Sequence, residues 1–164
     1  MKIKLDPSEM MFAVMGGAMR RIQALQRGRV DKYGTVQYPW QADIEGAMAE
    51  MAVAKAFGIF WSGDVGNIYA IDVGSYQVRS TAYESGHLVI NKPDKDEHIF
   101  ILVIGRDGEY DLRGYAVAGD VKREEFWTSK SIGRFAYFVP QEVLRPVREL
   151  MEKDNDSEPK IFLE

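Results

Sequence analysis

Beyond Gly58 the apolar residues fall into short, spaced segments: Asn67–Val73, Tyr76–Ser80, His87–Ile90, Ile99–Ile104 and Tyr110–Val117, several of them separated by Gly, Asn or Asp. Short apolar runs bounded in this way are what sheet strands require. Any fold open to this chain must therefore build a sheet from its middle. Helical segments lie on either side. "DPSE" reads as a helix start, with Asp6 as N-cap, Pro7 in the first turn and Glu9 closing a capping box. That helix is expected over residues 7–27, ending near Gly28. A second is expected from about Gln41 to Phe57, stopped by Gly58, and a third near Pro146–Lys153. "REEFWTSK" reads as a short helix or turn and "RFAYFVP" as an extended segment. No repeat or linker divides the chain, so one α/β domain over residues 1–164 is expected, with an acidic, frayed tail at 154–164.

The composition narrows the class. At 46% apolar and 28% charged residues, 164 residues can bury one good core. Cysteine is absent, which excludes disulfides and thiolate zinc sites and fits an intracellular home. "MKIKLDPSEMM" lacks the apolar run of a signal peptide, and no segment reaches the roughly 20 apolar residues of a membrane span. A soluble, cytoplasmic protein with no membrane partner is the expectation. The net charge of −4 is unevenly placed: residues 149–164 carry six acids and two lysines. Lys2, Lys4, Arg20, Arg21, Arg27, Arg29 and Lys32 outnumber Asp6, Glu9 and Asp31 near the start, so a local basic surface can form there. Arg20, Gln23 and Arg27 share one face of the first helix. They read either as a solvated face or, for Arg20 and Arg27, as phosphate contacts.

The segment "AIDVGSYQVRST" concentrates the chemistry. Gly74-Ser75 suits a two-residue type II′ turn. That turn pairs Val73 with Tyr76, Asp72 with Gln77 and Ile71 with Val78. Alternation then sets Asp72, Gln77 and Arg79 on one face and Ile71, Val73, Tyr76 and Val78 on the other. A polar outer face is ordinary for an exposed hairpin. The preceding helix adds weight to a site. In "DIEGAMAEMAVAKAFG", Glu50 has Gly46, Ala47, Val53 and Ala54 one turn away, an apolar setting in which a carboxylate needs a partner. Glu45, nearer the helix start, reads as solvated or dipole-stabilising, and Lys55 as a stem over apolar surface or a partner for an acid.

With Glu50 in "GAMAEMAVAKAFG", Asp72, Gln77 and Arg79 in "IDVGSYQVRST", and the apolar strand "HIFILVIG" after them, the region from Asp43 to about Gln141 resembles the PD-(D/E)xK nuclease superfamily, closest to small phage-encoded members. The resemblance implies a restriction-endonuclease-like fold, a central mixed β-sheet flanked by helices. It implies a metal-dependent DNA nuclease, hydrolysing phosphodiesters with Mg²⁺ or Mn²⁺ held by Glu50, Asp72 and Gln77. Arg79 would stand beside the phosphate, with Ser80 and Thr81 as further nucleic-acid contacts. Homodimers are common among such proteins. Two carboxylates about 4 Å apart repel by roughly 4 kcal/mol at an effective dielectric near 20, and a hard dication reverses that sign. Two residues depart from the pattern. Gln77 stands where an acid is usual, leaving one less negative charge for the metal. Arg79 stands where Lys is usual, and a guanidinium cannot act as a general base. A non-catalytic member of the same fold, binding nucleic acid or a protein, is the alternative.

Other features read more plainly. "NKPDKDEH" is acid-rich without the central Gly of a calcium loop and reads as a solvated turn. His87 and His98 read as structural or exposed. Trp127, Tyr137 and Phe138 read as core aromatics rather than base-stacking platforms. Gly16-Gly17 marks a close approach of the first helix to another element.

Overall fold

The structure, a computed structural model, describes residues 1–28, 38–63, 71–129 and 135–157. Strand β1 (Lys2–Lys4) leads into helix α1 (Pro7–Gln26) and helix α2 (Pro39–Phe57). Strands β2 (Tyr76–Thr81), β3 (Leu88–Ile90), β4 (Ile99–Arg106) and β5 (Glu109–Val117) follow. The short helix α3 (Ala118–Val121), strands β6 (Trp127–Thr128) and β7 (Ala136–Val139), and helix α4 (Arg148–Ser157) complete the chain.

The expected start of α1 and stop of α2 are present, whereas α4 starts at Arg148 rather than Pro146 and runs to Ser157. Residues 154–157 are thus helical rather than frayed, with Asp154 accepting from the Tyr76 hydroxyl at 2.6 Å. Asp6 accepts from the backbone of Ser8 and Glu9, and the Glu9 side chain returns to the Asp6 N–H at 2.8 Å, closing the capping box. Gly58 ends α2 in the left-handed conformation, φ 66°. The paired glycines of α1 mark a helix contact. A Cβ on Gly17 would lie 2.6 Å from the Asp43 carbonyl oxygen of α2, and one on Gly16 would lie 2.8 Å from the Trp61 ring. α1 thus rides against α2 at backbone distance.

A four-stranded mixed sheet runs in the order β1-β5-β4-β2, with β2 parallel to β4 and the other pairs antiparallel. A smaller antiparallel sheet, β3-β7-β6, stands apart from it. Strand β4 is buried on both faces. Ile101 and Val103 join α1, α2 and α4 in one core, whereas Phe100, Leu102 and Ile104 join Leu88, Ile90 and Val139 in a second. The architecture is α/β with a mixed sheet, but α1, α2 and α4 cover one face only. The second sheet covers the other. Strand β1 had no place in the sequence reading, and "REEFWTSK" divides into a single 3₁₀ turn at Glu124–Phe126 followed by β6.

The hairpin forms at its tip alone. Gly74 has φ +56°, and Val73 and Tyr76 exchange backbone hydrogen bonds of 3.0 and 2.8 Å. Beyond that bridge the expected Asp72–Gln77 and Ile71–Val78 pairs give way to a side-chain contact, because the Val78 N–H donates to Asp72 Oδ2 at 2.8 Å. Ile71 is exposed instead of packing with Val73, Tyr76 and Val78. Residues 67–70, which begin the segment read as a strand, lie outside the described residues, as do Arg29, Lys32 and the tail from 158. No helix among the described residues is long and apolar enough to cross a membrane.

Candidate functional site

Glu50 enters the site from the middle of α2, where Ala47, Ala49, Val53 and Ala54 are buried around it. It is the buried charged residue of that helix, 6% exposed. Arg20 of α1 meets it with a two-pronged fork, Nη1 to Oε1 at 2.6 Å and Nη2 to Oε2 at 2.7 Å. The Trp61 indole N–H adds a bond to Oε2 at 3.0 Å. Burial pulls the Arg20 guanidinium down, but the hydrogen bonds and charge of Glu50 outweigh it and hold Arg20 above its ordinary value. The residue read from sequence as a phosphate contact is therefore tied to the acid read as a metal ligand. Arg27 sits exposed at the end of α1.

Asp72 arrives from the hairpin. Burial, followed by the nearby charge of Glu50, pushes its carboxyl up to about 6, against the opposing pull of the Val78 N–H, Arg79 and Arg20. The two acids, on separate elements, are close enough to raise the cost of ionising Asp72. Gln77 and Arg79 alternate with buried Tyr76 and Val78 on β2 and are half-buried. The Arg79 guanidinium lies 4.7 Å from the centre of the Phe100 ring and pairs with Asp94 at 3.3 Å. Ser80 is exposed, and the Thr81 hydroxyl accepts from the Tyr83 N–H at 3.2 Å.

Sequence reading missed Trp61 and Asp94. Asp94 belongs to the loop read as a solvated turn, yet its carboxylate accepts from the Asn91 N–H at 2.8 Å while holding Arg79. Lys122 fastens the same loop through Asp96 and the Asp94 carbonyl. An acid three residues after Asn91 has the spacing at which a side chain reaches back to a backbone N–H, as in a capping box, and was the available signal. Away from the site, Glu45 is engaged by the Tyr110 hydroxyl at 2.8 Å rather than solvated, and Lys55 pairs with Glu9 at 2.7 Å.

Carboxylate oxygens are the ligand type that a hard dication takes. Asp72 offers a carboxyl that burial, and then the charge of Glu50, keeps raised, whereas both Glu50 oxygens are engaged by Arg20. Among the described residues no group of three or more His, Asp or Glu is assembled for a metal. Gln77 is the carboxamide on the adjacent strand. Comparison with family models, curated proteins and solved structures finds no match.

Proposed function

We propose that this chain is a divalent-cation-dependent phosphodiesterase of the PD-(D/E)xK kind, restriction-endonuclease-like in fold, acting on DNA. The observation that carries the reading is the convergence of Glu50 and Asp72, close enough for Glu50 to help lift the Asp72 carboxyl to about 6. A perturbed carboxyl facing a second acid from a separate element is a mark of functional sites. In this reading Glu50, Asp72 and Gln77 hold Mg²⁺ or Mn²⁺. The bound ion supplies an acidified water and charge neutralisation at the phosphate. A guanidinium is no general base, so the task of Arg79 is electrostatic: a cation braced by Phe100 and Asp94 beside the scissile group. Asp72 is protonated in mild acid, so metal binding and cleavage should rise as pH climbs through about 6.

One observation favours a second reading. Arg20 already engages both oxygens of Glu50, which supports a non-catalytic member of the same fold that binds nucleic acid. Cleavage assays separate the two. Supercoiled, linear and single-stranded DNA are incubated with Mg²⁺ or Mn²⁺ and the full chain, its Asp72→Asn variant and its Arg79→Met variant. Metal-dependent cutting that Asp72→Asn abolishes supports the nuclease. Retained DNA binding with no cutting by the parent chain supports the second reading, and neither activity overturns both.

A further inference from the structure

We propose that α1 is a self-association surface, on which two copies of this chain pack α1 against α1, antiparallel, about a two-fold axis at Ala18. The inner face of the helix is committed to the fold: Ala13 and Gly17 are buried, Gly17 abuts α2, and Arg20 and Arg21 are paired with Glu50 and Asp43. The outer face carries Met11, Met15, Ala18, Ile22 and Leu25, spaced four, three, four and three residues apart. That is the spacing of a helix–helix seam. Met11, Met15 and Leu25 are 63%, 60% and 58% exposed, and exposed Phe12 and Met19 widen the stripe. Phe60, 84% exposed, lies next to Trp61, whose ring meets Phe12 edge-on at 5.6 Å.

Exposure of 37–63% at Met11, Phe12, Met15, Met19, Ile22 and Leu25 makes a stripe along one helix rather than scattered single exposures. The pattern itself selects the occupant. An isologous contact requires a patch that fits its own copy, and this stripe is nearly symmetric about its one small residue. Ala18 can meet Ala18 at the axis, with Met15 opposite Ile22 and Met11 opposite Leu25 on either side. A lipid surface fits less well. Interfacial helices turn Lys and Arg outward from their polar face, and here Arg20 and Arg21 face inward to α2 partners.

The absence of cysteine makes a clean test. In the full chain, Ala18→Cys should give a disulfide-linked dimer under mild oxidation. Met11→Cys should not, because its two copies would lie roughly 20 Å apart along the antiparallel pair, far beyond disulfide reach. By light scattering the parent chain should be a dimer. Met15→Lys and Ile22→Glu should each be monomeric with unchanged circular dichroism, and should pair when mixed. A monomeric parent chain, equal cross-linking at both positions, a dimer untouched by Met15→Lys, or co-flotation with anionic phosphatidylserine vesicles in place of dimerisation overturns the proposal.

Discussion

An ionised carboxylate at position 72 works against folding at neutral pH. Its proton is held more tightly in the folded chain, where burial and Glu50 raise it to about 6, than in an unfolded chain near 3.8. The stability this proton confers is whole below about pH 4 and is lost as pH rises through about 6. At roughly 1.4 kcal/mol per pH unit the ceiling is about 3 kcal/mol. Asp72→Asn keeps an oxygen for the Val78 N–H without the charge. It should therefore be about 1–3 kcal/mol more stable than the parent at pH 7.5 and no more stable at pH 4, as denaturant unfolding across that range will register. Equal stabilities at both pH values would show that neither burial nor Glu50 raises the Asp72 carboxyl. Arg20 is the opposite case. Arg20→Met leaves a buried carboxylate without its fork and should cost about 3–5 kcal/mol. Adding Glu50→Gln should return much of that loss, a non-additivity that a double-mutant cycle measures.

The contact between α1 and α2 depends on the missing side chain of Gly17. Gly17→Ala would favour the helix intrinsically by up to about 1 kcal/mol, but its Cβ would press on backbone atoms of Asp43 and Ile44 at 2.6–2.7 Å. Overpacking typically costs about 1–3 kcal/mol, so a net loss of stability is expected in thermal melts, and a more stable variant would show that the helices can separate at no cost. This close approach was legible because two adjacent glycines in a helix need a reason. The capping box, the Gly58 stop and the Gly74-Ser75 tip were legible for the same cause, each being settled by a few neighbouring residues. What escaped was non-local. Lys2–Lys4 is too short to announce a strand and exists through its pairing with Glu109–Asp111. Arg20 and Glu50 are 30 residues apart, and nothing near either names the other. Asp72 shows the two kinds of information competing: alternation placed it opposite Gln77, but its carboxylate reaches the Val78 N–H and ends the ladder after one bridge.

Across the whole molecule, strand β4 joins two cores that lie on opposite faces of one sheet. Ile101 and Val103 pack towards the helices that carry Arg20 and Glu50, while Phe100, Leu102 and Ile104 pack towards β3 and β7. Arg79 draws on the second side as well, through Phe100 and through Asp94 in the loop between β3 and β4. The site therefore rests on both layers, although Glu50 and Asp72 approach from one. A strand buried on both faces cannot lose one cover without exposing an apolar row to water, so the two cores should melt together. Leu88→Ala tests this from the far side. Leu88 is fully buried in the second core, and its truncation should cost about 2–5 kcal/mol. Trp61, in the first core and hydrogen-bonded to Glu50, reports on the site by its fluorescence once Trp40 and Trp127 are replaced by Phe. In Leu88→Ala the fluorescence and far-ultraviolet dichroism transitions should shift to lower denaturant by the same amount and stay superimposed. If dichroism falls while the Trp61 environment persists, the second sheet is an independent layer and Arg79 can lose its support while Glu50 and Asp72 remain in place.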